Sequence, residues 1–174
     1  ESFAVMIKEE AGSGKTRLIH ELKQSTQALF IDFNFTEFKR DVPYSAIKDA
    51  LRQRQLTEAQ REALKDDLPF IEDIIDPTKP RSADYLITSE RRHYALYRLL
   101  QAYSSERPTV FVAEDLHWAD EESLGFIEYA SEKLQNEKAA KFGLLMTARP
   151  DLKKDFVKTV CFKPLNPEDS KKVL

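Results

Sequence analysis

Two glycines one residue apart, followed by a lysine and a threonine, form the run Glu10-Ala11-Gly12-Ser13-Gly14-Lys15-Thr16. Those residue types in that order suit the binding of a polyphosphate. The chemistry needs a loop whose successive N–H groups turn inward around an anion, and then a helix whose N-terminus adds free N–H groups and its dipole. Gly12 and Gly14 allow the turn, in a chain that holds only four glycines. Lys15 is placed to reach β- and γ-phosphates as a point charge, and the Thr16 hydroxyl to take one position on Mg²⁺. Ala11, Ser13 and Arg17 complete the candidate cofactor-binding run. One position departs from G-x-x-x-x-G-K-[ST]: five residues before Gly14 stands Glu9, which puts a carboxylate where the pattern has its first glycine. By itself the run also reads as a glycine turn ahead of an amphipathic helix.

Two further pieces fit the same chemistry. Thr109-Val110-Phe111-Val112-Ala113 is an apolar run that ends in Glu114 and Asp115. Such a pair at the end of a buried strand supplies one carboxylate for the Mg²⁺ that Thr16 touches and another to orient or deprotonate the attacking water. The roles belong to the pair. Phe142-Gly143-Leu144-Leu145-Met146-Thr147-Ala148 is again apolar and ends in Arg149, whose guanidinium suits phosphate geometry.

The elements that must position these groups are legible as alternating strands and helices. Phe3 to Ile7 reads as a buried strand running into the glycine loop, and Thr16 to about Gln24 as a short helix with Leu18, Ile19 and Leu22 on one face. Ala28 to Phe33 reads as the second strand, and near-continuous apolar runs of this kind belong to parallel sheets buried on both faces. Ligands bind such sheets at the strands' carboxyl ends, where Lys15, Glu114, Asp115 and Arg149 all fall. Between the second and third strands lies a helical insertion: Pro43 to Gln55, Thr57 to Lys65 with Thr57 and Gln60 as a capping pair, Leu68 to Ile75, an exposed loop over Asp76 to Ser82, and a long helix from Ser89 to Ser104. On that last helix Tyr94, Leu96, Tyr97 and Leu100 form the inner face. Its Arg91, Arg92 and Arg98 read as a solvated basic face, or as cations reaching a neighbour's nucleotide in a homo-oligomer. His117 reads as a locally packed loop histidine, Trp118 as a packing anchor, and Asp120 as the N-cap of the next helix. Val160-Cys161-Phe162-Lys163-Pro164-Leu165 reads as the fifth strand and its exit, with Cys161 packed in it, and Asn166 starts a last helix. The whole is an α/β three-layer sandwich in a single domain over residues 1–174.

Composition narrows the classes. A net charge of −3 gives no electrostatic reason for nucleic-acid binding, and no apolar run reaches the length of a membrane span. One cysteine excludes an internal disulfide and fits a reducing, cytoplasmic setting.

Taken together, Glu10 to Leu18, Pro43-Tyr44-Ser45-Ala46-Ile47, Glu114-Asp115-Leu116-His117-Trp118-Ala119-Asp120 and Thr147-Ala148-Arg149-Pro150 resemble the AAA-type ATPase domain of signal-transduction regulators. These are STAND P-loop NTPases, found in large LuxR-type transcriptional activators and beside class III adenylate cyclase domains. The resemblance implies a mainly parallel five-stranded sheet in the order 5-1-4-3-2 and an ATP-driven switch with ATP/ADP and Mg²⁺ as ligands. It also implies slow hydrolysis and partners in other domains of a longer chain. Lys15 and Thr16 become the phosphate and Mg²⁺ ligands, Glu114 and Asp115 the Walker B pair, and Arg149 the sensor. A helical lid would follow, so the chain reads as a fragment in which nucleotide binding is weak. The alternative is a degenerate scaffold that serves as a protein-interaction module without nucleotide turnover, with Glu9 abolishing binding. A Ras-type GTPase is disfavoured because no Asn-Lys-x-Asp run occurs, and a small-molecule kinase because the insertion does not resemble a compact arginine-bearing lid.

Overall fold

Strand β4 (Phe142–Ala148) is buried at every residue, which only the centre of a sheet covered on both faces allows. The computed structural model describes residues 2–76, 88–137 and 140–161. On one side of β4 lies β3 (Thr109–Glu114) and then the edge strand β2 (Leu29–Asn34). On the other lies β1 (Phe3–Lys8), followed by the three-residue β5 (Lys158–Val160). All four pairings are parallel, and the order β2-β3-β4-β1-β5 is the expected 5-1-4-3-2 read from the other edge.

The two-residue period of the strands sorts their side chains onto two faces. Ile7, Val112 and Leu145, with Val110 and Phe30, pack against Ile19, Leu18 and Leu22 of α1 (Lys15–Ser25). Met6, Ile31, Phe33, Phe111, Leu144 and Met146 face the larger core. That side is covered by the insertion, α2 (Ser45–Arg52), α3 (Glu58–Ala63), α4 (Leu68–Ile75) and α5 (Ser89–Tyr103), and by α6 (Glu121–Asn136). Among the described residues no helix is long and apolar enough to cross a membrane.

Capping chemistry fixes several helix starts. Thr57 and Gln60 form the expected reciprocal capping box, and the Asp120 carboxylate accepts the Ser123 N–H. Helix α2 is shorter than the Pro43–Gln55 reading because Tyr44 adopts a left-handed conformation, φ 56°, and starts the helix at Ser45. Tyr94 is not on the inner face of α5; it is exposed, and Ala95 and Leu99 join Leu96, Tyr97 and Leu100 inside. Cys161 lies just past β5 and is exposed, so it does not pack in a strand. Phe162 to Leu165, the last helix and the loop beyond Asp76 lie outside the described residues.

The arginines of α5 correct the sequence reading. Asp67 is buried, and its two carboxylate oxygens take Arg91 Nη1 at 2.9 Å and Arg98 Nε at 3.5 Å, while Arg92 pairs with Asp73. Arg91 also lies 4.2 Å from the centroid of the Phe70 ring. These cations clamp α4 to α5 through ion pairs with Asp67 and Asp73 and do not form a simple solvated face. Breaking a buried pair costs about 3–5 kcal/mol when a charge is stranded, but both arginines here are one-third exposed and rehydrate. Asp67→Ala should therefore lower stability by about 2 kcal/mol in urea denaturation, and a loss under about 0.5 kcal/mol would refute the clamp.

His93 sits in an aromatic cage of Tyr44, Phe126 and Tyr129, with ring centroids 6.3, 6.1 and 5.9 Å away. The cage admits the imidazole because the facing residue on α6 is Gly125, where a Cβ would come within 3.1 Å of it. Burial pushes the His93 pKa down from its ordinary value, against an opposing pull from Glu122 at 3.8 Å. The folded state thus favours the neutral ring. That contribution is complete above the unfolded value of about 6.5 and is lost as pH falls toward the lower folded value. Between pH 7.5 and 5.5, His93→Phe should show a smaller fall in unfolding free energy than the parent chain; equal slopes would contradict this assignment.

Candidate functional site

The loop from Glu9 to Gly14 leaves β1 at its carboxyl end and enters α1 directly. Gly12 and Gly14 have φ of 81° and 91°, the left-handed region that a side chain disfavours. A Cβ at either would meet no atom within 4 Å, so backbone conformation and not crowding calls for glycine at both positions. Helix α1 has no acidic residue in its first turn and no side-chain cap. Its N-terminal N–H groups and dipole are uncompensated, in contrast to α6, which carries Asp120, Glu121 and Glu122. Lys15 Nζ donates to the carbonyls of Glu9 and Glu10, both at 2.7 Å, which folds the ammonium back over the loop. Thr16 and Arg17 are exposed on the first turn of α1, and Ala11 and Ser13 are exposed in the loop. Glu9 is partly buried and its N–H donates to the Ala148 carbonyl, which ties the start of the loop to the end of β4.

Glu114 and Asp115 stand at the carboxyl end of β3 and differ in setting. Val110 and Val112 face α1, so the two-residue period puts Glu114 on that same face. It is partly buried, and its pKa is raised, first by desolvation; Lys23 opposes, while Asp32 and Asp115 add to the rise. Lys23 at the end of α1 pairs with Asp32 of β2 at 2.7 Å, consistent with one shared face. Asp115 is exposed and left-handed, φ 58°, and its N–H donates to Thr147 Oγ1 on β4 at 3.0 Å. A non-glycine residue in that region is held only where its surroundings over-determine it.

A single turn of 3-10 helix, Leu116–Trp118, joins Asp115 to Asp120. Leu116 is buried in the core. The His117 pKa is pushed down, mainly by burial; Asp115 and Asp151 pull it up, and Arg149 and Lys15 push it down, so those charges surround the ring. Arg149 is exposed just past β4, with its guanidinium carbon 5.5 Å from the centroid of the Trp118 ring.

The structure therefore brings the loop, Lys15, Glu114, Asp115 and Arg149 to the carboxyl ends of three neighbouring strands, β1, β4 and β3. Sequence reasoning missed Thr147, which fixes Asp115, and the bond that ties Pro43-Tyr44-Ser45 to the Asp120 region. There the Tyr44 N–H donates to Asp120 Oδ1 at 3.0 Å, and its hydroxyl to Glu122 at 2.9 Å. A buried hydroxyl donating to a carboxylate resists ionisation, and the Tyr44 pKa is driven far up. The only sequence signal for this contact was the presence of both blocks in one resemblance.

A parallel sheet in this order, with a glycine loop between its first strand and first helix, is the P-loop NTPase fold. The family model described as AAA ATPase domain matches residues 4–142, and the chain belongs to that family. A search among curated proteins finds no match to it. Membership supports a nucleotide-binding domain, with Mg²⁺ as the usual companion ion.

Proposed function

We propose that this chain is an ATP-binding, slowly ATP-hydrolysing switch core that serves a larger signalling or transcriptional regulator in the cytoplasm. The observation that carries the reading is the convergence of Lys15, Glu114, Asp115 and Arg149 at adjacent strand ends beside an uncompensated helix N-terminus. The residues fit the ligand: two left-handed glycines, a lysine, a threonine in the first helical turn and two carboxylates. Mg²⁺, when bound, would offset phosphate charge and organise the γ-phosphate for displacement.

The chain's own groups divide the work. The loop N–H groups of Ala11 to Gly14 and the first turn of α1 hold the phosphates. Lys15 exchanges its two carbonyl acceptors for phosphate oxygens. Glu114 stands on the sheet face that packs against α1, the helix that carries Thr16, and is assigned the metal. Asp115, exposed at the strand end, orients water, and Arg149 faces the γ-phosphate.

Asp115→Asn should keep Mg-ATP binding and lower phosphate release about a hundredfold, the scale of general-base loss. Glu114→Gln should instead remove the Mg²⁺ dependence of binding. Equal effects of both variants on binding and turnover would contradict the division. One observation favours the scaffold alternative: Glu9 occupies the position of the pattern's first glycine. If Glu9 suppresses the site, Glu9→Gly should create nucleotide binding that the parent chain lacks.

A further inference from the structure

The turn after the two carboxylates presents the chain's single tryptophan to Arg149. We propose that Trp118 is a positioning residue for Arg149, its indole holding the guanidinium at the carboxyl end of β4 so that the arginine distinguishes a nucleoside triphosphate from a diphosphate. The inference rests on the nucleotide reading above and adds to it a residue responsible for discrimination.

The guanidinium lies within the ~6 Å range of a cation–π contact, and the Arg149 side chain has no hydrogen bond or ion pair among the described residues. Asp115 and Asp151 are close enough to act on His117, yet neither pairs with the arginine. A ring face takes up no N–H donor in a conventional hydrogen bond. The five donors of Arg149 therefore remain available to phosphate oxygens while its flexible stem is restrained.

The platform itself is fixed from several sides. Leu116 anchors it in the core, and the Asp115 N–H is held by Thr147. The Trp118 N–H donates to the Asp115 carbonyl at 2.8 Å, and the Ala119 N–H to the Leu116 carbonyl at 3.0 Å. Asp120 then pins the chain to α6. Beside the indole, 5.0 Å between centroids, lies the His117 ring, whose two nitrogens are buried without a hydrogen bond. The two rings are tilted 46° to each other, so the imidazole braces one side of the platform.

The test uses the emission of Trp118, unambiguous in a one-tryptophan chain, together with calorimetric binding of Mg-ATP and Mg-ADP. Trp118 emission should change on Mg-ATP in the parent chain, less on Mg-ADP, and with neither in Arg149→Ala. The preference for ATP over ADP should fall about tenfold in Trp118→Leu and in Arg149→Ala, and no further in the double variant, as expected of one coupled unit. Trp118→Phe, which keeps a ring face, should restore the preference to within about twofold. ATP binding by the parent chain without any change in emission overturns the inference and leaves the nucleotide reading standing, as does an unchanged preference in Trp118→Leu. Absence of any nucleotide binding by the folded parent chain overturns both.

Discussion

Lys15→Ala should abolish nucleotide-dependent stabilisation while leaving the unliganded fold within about 0.5 kcal/mol of the parent. The side chain donates only to two loop carbonyls at the surface, and water can replace it there. On the ligand it has no substitute. Each charge-assisted hydrogen bond to phosphate contributes about 1.5–3 kcal/mol, so losing the ammonium weakens binding about ten- to a hundredfold or more. With Mg-ATP at about ten times its dissociation constant, the parent chain gains about 1.4 kcal/mol, or about 3–5 °C in Tm. The variant should gain about 0.4 kcal/mol or less, a shift of less than about 2 °C. An equal shift in both proteins would place the ligand away from the glycine loop.

Asp120→Ala should be among the most damaging single changes to the fold. One carboxylate oxygen accepts the Ser123 N–H at 2.9 Å and the Tyr44 N–H at 3.0 Å, and the other takes the Ser123 hydroxyl at 2.7 Å. Loss of the cap costs about 1 kcal/mol. Orphaning the N–H of Tyr44, 4 % exposed and in a left-handed conformation, adds about 1–3 kcal/mol. The expected loss is about 3 kcal/mol, a drop of about 10 °C in Tm. Asp120→Asn keeps an acceptor oxygen and should lose about 1 kcal/mol. Tyr44→Phe removes only the bond to Glu122 and should be similarly mild. Denaturation midpoints separate these cases, and a loss under about 1 kcal/mol for Asp120→Ala would show that Tyr44 holds its conformation without the carboxylate. The same contact links the insertion to the segment that begins at Asp115, so Asp120→Ala should also weaken Mg-ATP binding.

Much of this was legible because the physics is local. Short apolar runs such as Phe142 to Ala148, ended by polar residues, read as buried strands, and the Thr57–Gln60 and Asp120–Ser123 caps are written within four residues of sequence. The rim that holds the candidate site was legible for a related reason: parallel strands deliver their carboxyl ends to one edge of the sheet, so residues 15, 114 and 149 fall there without any contact being known. What the sequence hid depends on partners far along the chain. Tyr44 starts α2 late because its N–H is held by a residue 76 positions away. Arg91 and Arg98 looked solvated because nothing near them reveals that Asp67 is buried beside them. Cys161 was misplaced because β5 pairs with β1 over three residues only and ends at Val160, and such pairing with a strand about 150 positions away leaves no local mark in the sequence.

Isothermal titration of the chain with ATP, with and without Mg²⁺, reads directly whether the glycine loop binds a nucleotide. ATP should bind saturably at one site, more weakly in the presence of a chelator and without detectable heat in Lys15→Ala. Heats indistinguishable from dilution, in a chain that circular dichroism and a cooperative thermal transition show to be folded, would contradict it.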